Sequence, residues 1–220
     1  MKRLMIVCLM IACVVSMFAA QKSIQFANGK SGVAIVNEKS SGIVLDWAIN
    51  EMTISDITNK GGNFTGLSVN GFIGTGEEGL PELPYNGKII AVPVNAVLSV
   101  NFVNTHSTVI DLKAHGFNQV ITPAQPSVEK CKDAKDMPFV MNQAAYQQAN
   151  YRSFVPVQIE EIGFMRGYRL VTVSYTPVEY NPVNNTAKVY DKVRVEIGYE
   201  GADYAQTEYM RAKTYSPAFE

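Results

Sequence analysis

Two histidines, His106 and His115, and three cysteines, Cys8, Cys13 and Cys131, are the residues best suited to metal or nucleophilic chemistry. Cys8 and Cys13 lie inside an N-terminal apolar run, so only Cys131 remains for the body of the chain. A Cys/His zinc site usually takes four ligands, and one thiol with two imidazoles does not supply them. Cys131 with either histidine has the makings of a nucleophile and base. Cys131, however, sits in the run Glu129-Lys130-Cys131-Lys132-Asp133-Ala134-Lys135-Asp136, and nucleophiles are usually held on rigid elements. A lone thiol also rules out an internal disulfide in that body. Gly74-Thr75-Gly76 lacks the Lys-Ser/Thr of a phosphate loop. Glu160 and Glu161 are adjacent, so on a strand they would face opposite ways and not act as a carboxylate pair. Tyr199, Tyr204 and Tyr209 could line a sugar-binding face, although packing is the commoner use of such residues. No catalytic set, metal site or cofactor site emerges.

The elements that would carry these residues read as strands. Val33–Val36, Gly42–Leu45 and Met52–Ile57 are short and rich in β-branched residues, and Lys88–Val94 is nearly continuously apolar. Val97–Val103, Arg169–Tyr175 and Lys188–Ile197 alternate apolar and polar with period two. Gly61-Gly62-Asn63, Asn70-Gly71 and the stretch Tyr180–Thr186 supply turns. Such spacing predicts an all-β chain, an antiparallel sandwich or barrel-like domain. Ala124–Asn150 differs: it is polar, has few β-branched residues and follows Pro123, so it is expected to be one long exposed loop with a short helix within 141–150.

The N-terminus has its own plan. Lys2 and Arg3 precede the apolar run Leu4–Phe18, and small Ala19 and Ala20 follow. That order predicts a signal peptide over 1–20 and one domain over 21–220, with 21–74 the less patterned part. No later segment is long and apolar enough for a spanning helix, so no integral membrane segment is expected after signal removal. Of 19 basic residues, removing Lys2 and Arg3 leaves 17 against 20 acidic, so the mature charge is about −3. Without a basic surplus, nucleic acid is not expected as a partner.

Four stretches in one order carry a resemblance. They are Gly79-Leu80-Pro81-Glu82-Leu83-Pro84 with Ile89–Pro93, Ile121-Thr122-Pro123-Ala124-Gln125-Pro126, Met165-Arg166-Gly167-Tyr168-Arg169, and Pro177–Pro182 with Val189-Tyr190. The series resembles the N-terminal propeptide of gingipain-type cysteine peptidases. The resemblance covers about residues 75–200, and 21–74 matches loosely. It implies a β-sandwich, not itself an enzyme, that assists folding and keeps the catalytic domain of a caspase-like cysteine endopeptidase latent until proteolytic removal. It implies export through the periplasm to the cell surface or medium by the type IX route. It further implies catalytic and sorting domains beyond Glu220, so the 220 residues are expected to be a fragment, with a free-standing inhibitor as the alternative. In such propeptides a basic residue of the loop enters the peptidase's specificity pocket. The matching position, counted from Ile121, is Lys130, flanked by Cys131 and Lys132. The same loop could instead be a maturation cleavage site. A different class of reading is an exported β-sandwich that binds protein or carbohydrate.

Overall fold

The computed structural model describes residues 20–216, apart from 76, 129, 131–132, 134–135 and 152–155. The signal-peptide expectation therefore falls outside the described residues, except for Ala20. No described helix is long and apolar enough to cross a membrane. In chain order the described strands are β1 (Gln21–Gln25), β2 (Gly32–Lys39), β3 (Gly42–Ala48), β4 (Glu51–Asn59), β5 (Gly62–Ser68), β6 (Ile73–Thr75), β7 (Leu83–Val92), β8 (Val97–Asp111), β9 (Val157–Met165), β10 (Tyr168–Tyr175), β11 (Val178–Asn181) and β12 (Thr186–Glu200). A one-turn helix, α1 (Gln143–Tyr146), precedes β9, and α2 (Tyr204–Lys213) follows β12.

The pairing is antiparallel throughout these ladders. One sheet runs β11-β12-β3-β2, with β8 also paired to β12. A second runs β6-β7-β10-β9, and a third is β1-β4-β5. The first two face each other over a core of Leu45, Trp47, Val171, Val173, Tyr175, Val193 and Val195, each with no exposed surface. Trp47 and Tyr175 meet across it at 5.7 Å between ring centroids. This is the sandwich that period-two patterning predicts: Val193, Val195 and Ile197 are buried while Lys192 and Glu196 on β12 stay out. Asp191 breaks the pattern on the buried side. Its carboxylate accepts from the Asn28 side-chain amide at 2.9 Å and pairs with His106 Nδ1 at 2.7 Å, as a buried carboxylate must.

A second core joins β4, β11 and β12 to the segment after β8. It holds Ile49, Met52, Ile54, Leu112, Ile121, Val178 and Val189. Residues before Ile73, weakly patterned in the sequence, thus supply buried side chains to both cores. Several boundaries differ from the sequence reading. β8 continues eight residues past Val103 to Asp111, and β9 and α2 have no counterpart in it. His106 is exposed and lies within β8. Tyr204 and Tyr209 are helical, and five residues on a helix places them about 140° apart. With the half-buried Tyr199 on β12 they form no single aromatic face.

Candidate functional site: a braced loop

Among its described residues the stretch Ala124–Asn150 is the expected, mostly exposed loop with a short helix, α1, but its arms are tied to the body. Its first arm begins in a tight turn after β8, where Phe117 N–H donates to Leu112 O at 3.0 Å and Gly116 takes a left-handed φ of 96°. The chain then runs extended and is stitched on both sides. Thr122 N–H donates to Thr65 O at 2.9 Å, and Thr65 N–H donates to Val120 O at 2.8 Å on β5. Opposite, Glu82 N–H donates to Thr122 O, and Ala124 N–H to Leu80 O, both at 2.8 Å.

The returning arm is tied to the same segment. Gly79 N–H donates to Ala124 O at 2.8 Å, and Asn142 N–H donates to Gly79 O at 2.9 Å. Gly79 has φ of 80°, and a Cβ there would stand 2.9 Å from Asn142 N. Both facts favour glycine. Gln125 closes the neck. Its amide donates to Val140 O at 2.8 Å, and its carbonyl accepts from Val140 N–H at 3.0 Å. One side chain thus reproduces the paired bonds of a strand neighbour. Phe139 packs on Phe64 at 5.6 Å between centroids, and Lys60 Nζ donates to Met137 O at 3.0 Å.

A buried polar relay holds the arms to the body. Tyr146 of α1 donates to Ile121 O at 2.8 Å. Tyr180 accepts from Ile121 N–H at 3.3 Å and donates to Asn185 Oδ1 at 2.7 Å. The Asn185 amide in turn donates to Phe117 O at 2.9 Å. Asn185 sits at φ of 54°, which Asn tolerates. Burial pushes the Tyr180 hydroxyl up to about 12 and raises that of Tyr146 as well. Both remain neutral donors at ordinary pH.

Beyond this neck the chain continues from Pro126 and returns at Phe139, and the described residues between them include Lys130. Lys130 lies there in a turn and is exposed. Asp136 N–H donates to Asp133 O at 3.0 Å, making a further turn. Cys131 and Lys132 lie outside the described residues, so their relation to Lys130, or of Cys131 to either histidine, is not described. Among the described residues no group of three His, Cys, Asp or Glu side chains could hold a metal ion.

Three of the four sequence stretches meet at this stem. Gly79–Glu82 lies on one side, Ile121–Gln125 is the arm, and Tyr180 of the fourth stretch anchors it. The remaining stretch, Met165–Arg169, turns between β9 and β10 under α2. A Cβ on Gly167 would stand 2.4 Å from Met210 O, and Arg211 lies over the Tyr168 ring at 4.7 Å. Gln125 falls within the second stretch, but its pairing with Val140 was not foreseen in the sequence. Its only signal there is a Gln lying between Pro123 and Pro126.

Loops positioned by a rigid scaffold are common places for binding residues, and this β-sandwich presents one with an exposed Lys130. The family model Propeptide_C25 matches residues 24–214, and the chain belongs to that family, the propeptides of gingipain-type cysteine peptidases. It is 32% identical to Lys-gingipain of Porphyromonas gingivalis over 206 residues, 94% of this chain. That alignment spans only 12% of the relative's length. Gingipain R1 of the same species is 26% identical over 121 residues, 55% of this chain and 12% of the relative. A solved structure concerning the zymogenic latency of gingipain K from Porphyromonas gingivalis is 32% identical with a TM-score of 0.77. It covers 83% of this chain and all of that one. The fold is shared with a complex of Porphyromonas gingivalis RgpB pro- and mature domains, at TM-score 0.67 and 16% identity. That match covers 83% of this chain and 96% of the other.

Proposed function

We propose that this propeptide assists the folding of a cysteine endopeptidase domain and holds it latent until proteolysis removes the propeptide. The chain is exported, by way of the periplasm to the cell surface or medium, with residues 1–20 as its signal peptide and 21–220 as the propeptide domain. Its partner is the catalytic domain of its own parent enzyme. Lys130, with Cys131 and Lys132 beside it, forms the inhibitory element.

The observation that carries this reading is an exposed Lys130 on a loop whose two arms are stitched to the body and to each other. A lysine is a compact charge on a long apolar stem, so it can meet a buried acidic group while the stem packs on the pocket wall. Arms already pinned to the body lose little conformational entropy on binding, which favours inhibition. The test is inhibition of the parent catalytic domain by the wild-type chain and by the double variant Lys130→Ala/Lys132→Ala. The double variant is expected to inhibit at least tenfold less well, roughly the loss of one charge-assisted contact. Undiminished inhibition would overturn the assignment.

A further inference from the structure

A cleft of about 990 Å³ opens between the β9–β10 turn and the end of α2. Its volume is that of a ligand site. One wall is apolar, from Met165, Tyr168 and Leu170. The turn is set hard under the helix, since a Cβ on Gly167 would also stand 2.5 Å from Thr214 Oγ1. Arg166, Arg211 and Glu208 line the cleft too, and two cations against one carboxylate leave one positive charge over.

Arg211 is only partly satisfied. Its guanidinium lies over the Tyr168 ring, and Nη1 donates to Glu208 Oε1 at 3.2 Å. Its Nε–H is buried and has no hydrogen-bond partner among the described residues. A buried donor left open is unfavourable until an acceptor reaches it.

At the mouth of the cleft stands the chain itself. Thr214 closes α2, its Oγ1 donating to Met210 O at 2.9 Å, and Tyr215 N–H donates to Ala212 O at 3.4 Å. Thr214, Tyr215 and Ser216 all line the cleft, and Ser216 is the last described residue. Pro217-Ala218-Phe219-Glu220 come next. Those residues reach about 13 Å when extended. Proline after Ser216 favours an extended start and lowers the entropy lost on docking. The segment sets a carboxylate beside an aromatic ring, as the cleft sets Arg211 beside an apolar wall. A segment tethered at the mouth has an effective concentration in the millimolar range, which favours it over a free ligand.

We propose that the cleft seats residues 217–220 of the same chain, with Phe219 against Tyr168 and Met165 and the Glu220 carboxylate accepting from Arg211 Nε–H. Seating withholds this segment from peptidases, which cut exposed and mobile chain. That consequence rests on reading the chain as a propeptide removed by proteolysis, whereas the seat itself does not.

Backbone amide relaxation by NMR tests the seat, with Gly-Ser-Gly appended so that no terminal carboxylate stands at Glu220. Residues 218–220 are expected to show order parameters of about 0.85, and the appended residues values below about 0.6. Phe219→Ala, at a position in neither core, and Arg211→Gln are each expected to bring 218–220 below about 0.6 while the signals of the sandwich stay in place. A wild-type segment as mobile as the appended residues overturns the proposal. So does a segment that stays ordered in either variant. Order that is lost on dilution overturns it as well, because the tail of another copy is then the occupant. Cleavage after Phe219 by a peptidase of aromatic specificity is expected to be about tenfold faster in Arg211→Gln, the equivalent of one charge-assisted hydrogen bond. Equal cleavage of an ordered wild type and a mobile variant would overturn the withholding and leave the seat standing.

Discussion

Replacing Gln125 with alanine removes the side chain that joins the two arms of the loop. Two bonds to Val140 are lost, at 2.8 and 3.0 Å, with a third to Pro123 O at 3.0 Å. Gln125 is exposed and Val140 half-buried, so water reaches the groups left behind and no large desolvation penalty is added. At about 1 kcal/mol net per hydrogen bond, discounted for that exposure, the neck loses roughly 1–2 kcal/mol. Every 1.4 kcal/mol is about a factor of ten, so the closed neck becomes about tenfold less favoured. Hydrogen exchange at the Val140 amide is expected to quicken by about that factor. The inhibition constant toward the parent catalytic domain is expected to rise similarly, because the loop must now be ordered on binding. The global unfolding midpoint should move little, since the buried clusters do not include Gln125. Gln125→Glu keeps an acceptor for Val140 N–H but loses the donor, and is expected to fall between. Faster Val140 exchange with an unchanged inhibition constant would refute the link between a braced neck and inhibition. Unchanged exchange would refute the neck itself.

Tyr180→Phe leaves Ile121 N–H and Asn185 Oδ1 without their buried partner, at a cost of about 2 kcal/mol by denaturant unfolding. Gly167→Ala forces a Cβ to 2.4 Å from Met210 O at φ of 79°, so it is expected to destabilise by about 2 kcal/mol or more and to displace α2, seen as faster amide exchange over residues 207–213. Burial raises Tyr180 and Tyr199 from the ordinary 10.0 to about 12. The stability linked to that shift is fully present below pH 10, because both states are then protonated. It is lost as pH rises from 10 toward 12, since the unfolded chain releases those protons first. Thermal melts should therefore be flat in this contribution up to about pH 10 and fall above it, and less steeply in Tyr180→Phe.

The sandwich was legible wherever a strand has one wet face. β10 and β12 show it: Val171, Val173, Val193 and Val195 recur at period two because polar residues between them face solvent. Most of the second half of β8 was not legible, because Thr105–Val109 is exposed on both sides and Thr105–Thr108 carries no alternation. β9 was hidden for a similar reason, with Glu160, Glu161 and a bulge at Ile162. The helix α2 buries Thr207 rather than an apolar stripe, so no helical period announced it. The loop site was half visible. Its charge run and prolines mark a loop, but composition says nothing of a neck closed between residues fifteen apart. The stem motifs were recognisable as a series, while their meeting in space depends on long-range pairing that no local pattern records.

The account rests on a substrate-like loop reaching the active site of the parent peptidase. The most direct measurement is the affinity of the wild-type chain for that catalytic domain, free and after covalent blocking by a peptidyl affinity label that fills the specificity pocket. The account predicts that blocking weakens binding by at least about tenfold, the remainder being held by contacts outside the pocket. Lys130→Ala/Lys132→Ala should bind free and blocked enzyme alike. Equal affinity of the wild-type chain for both forms would contradict it.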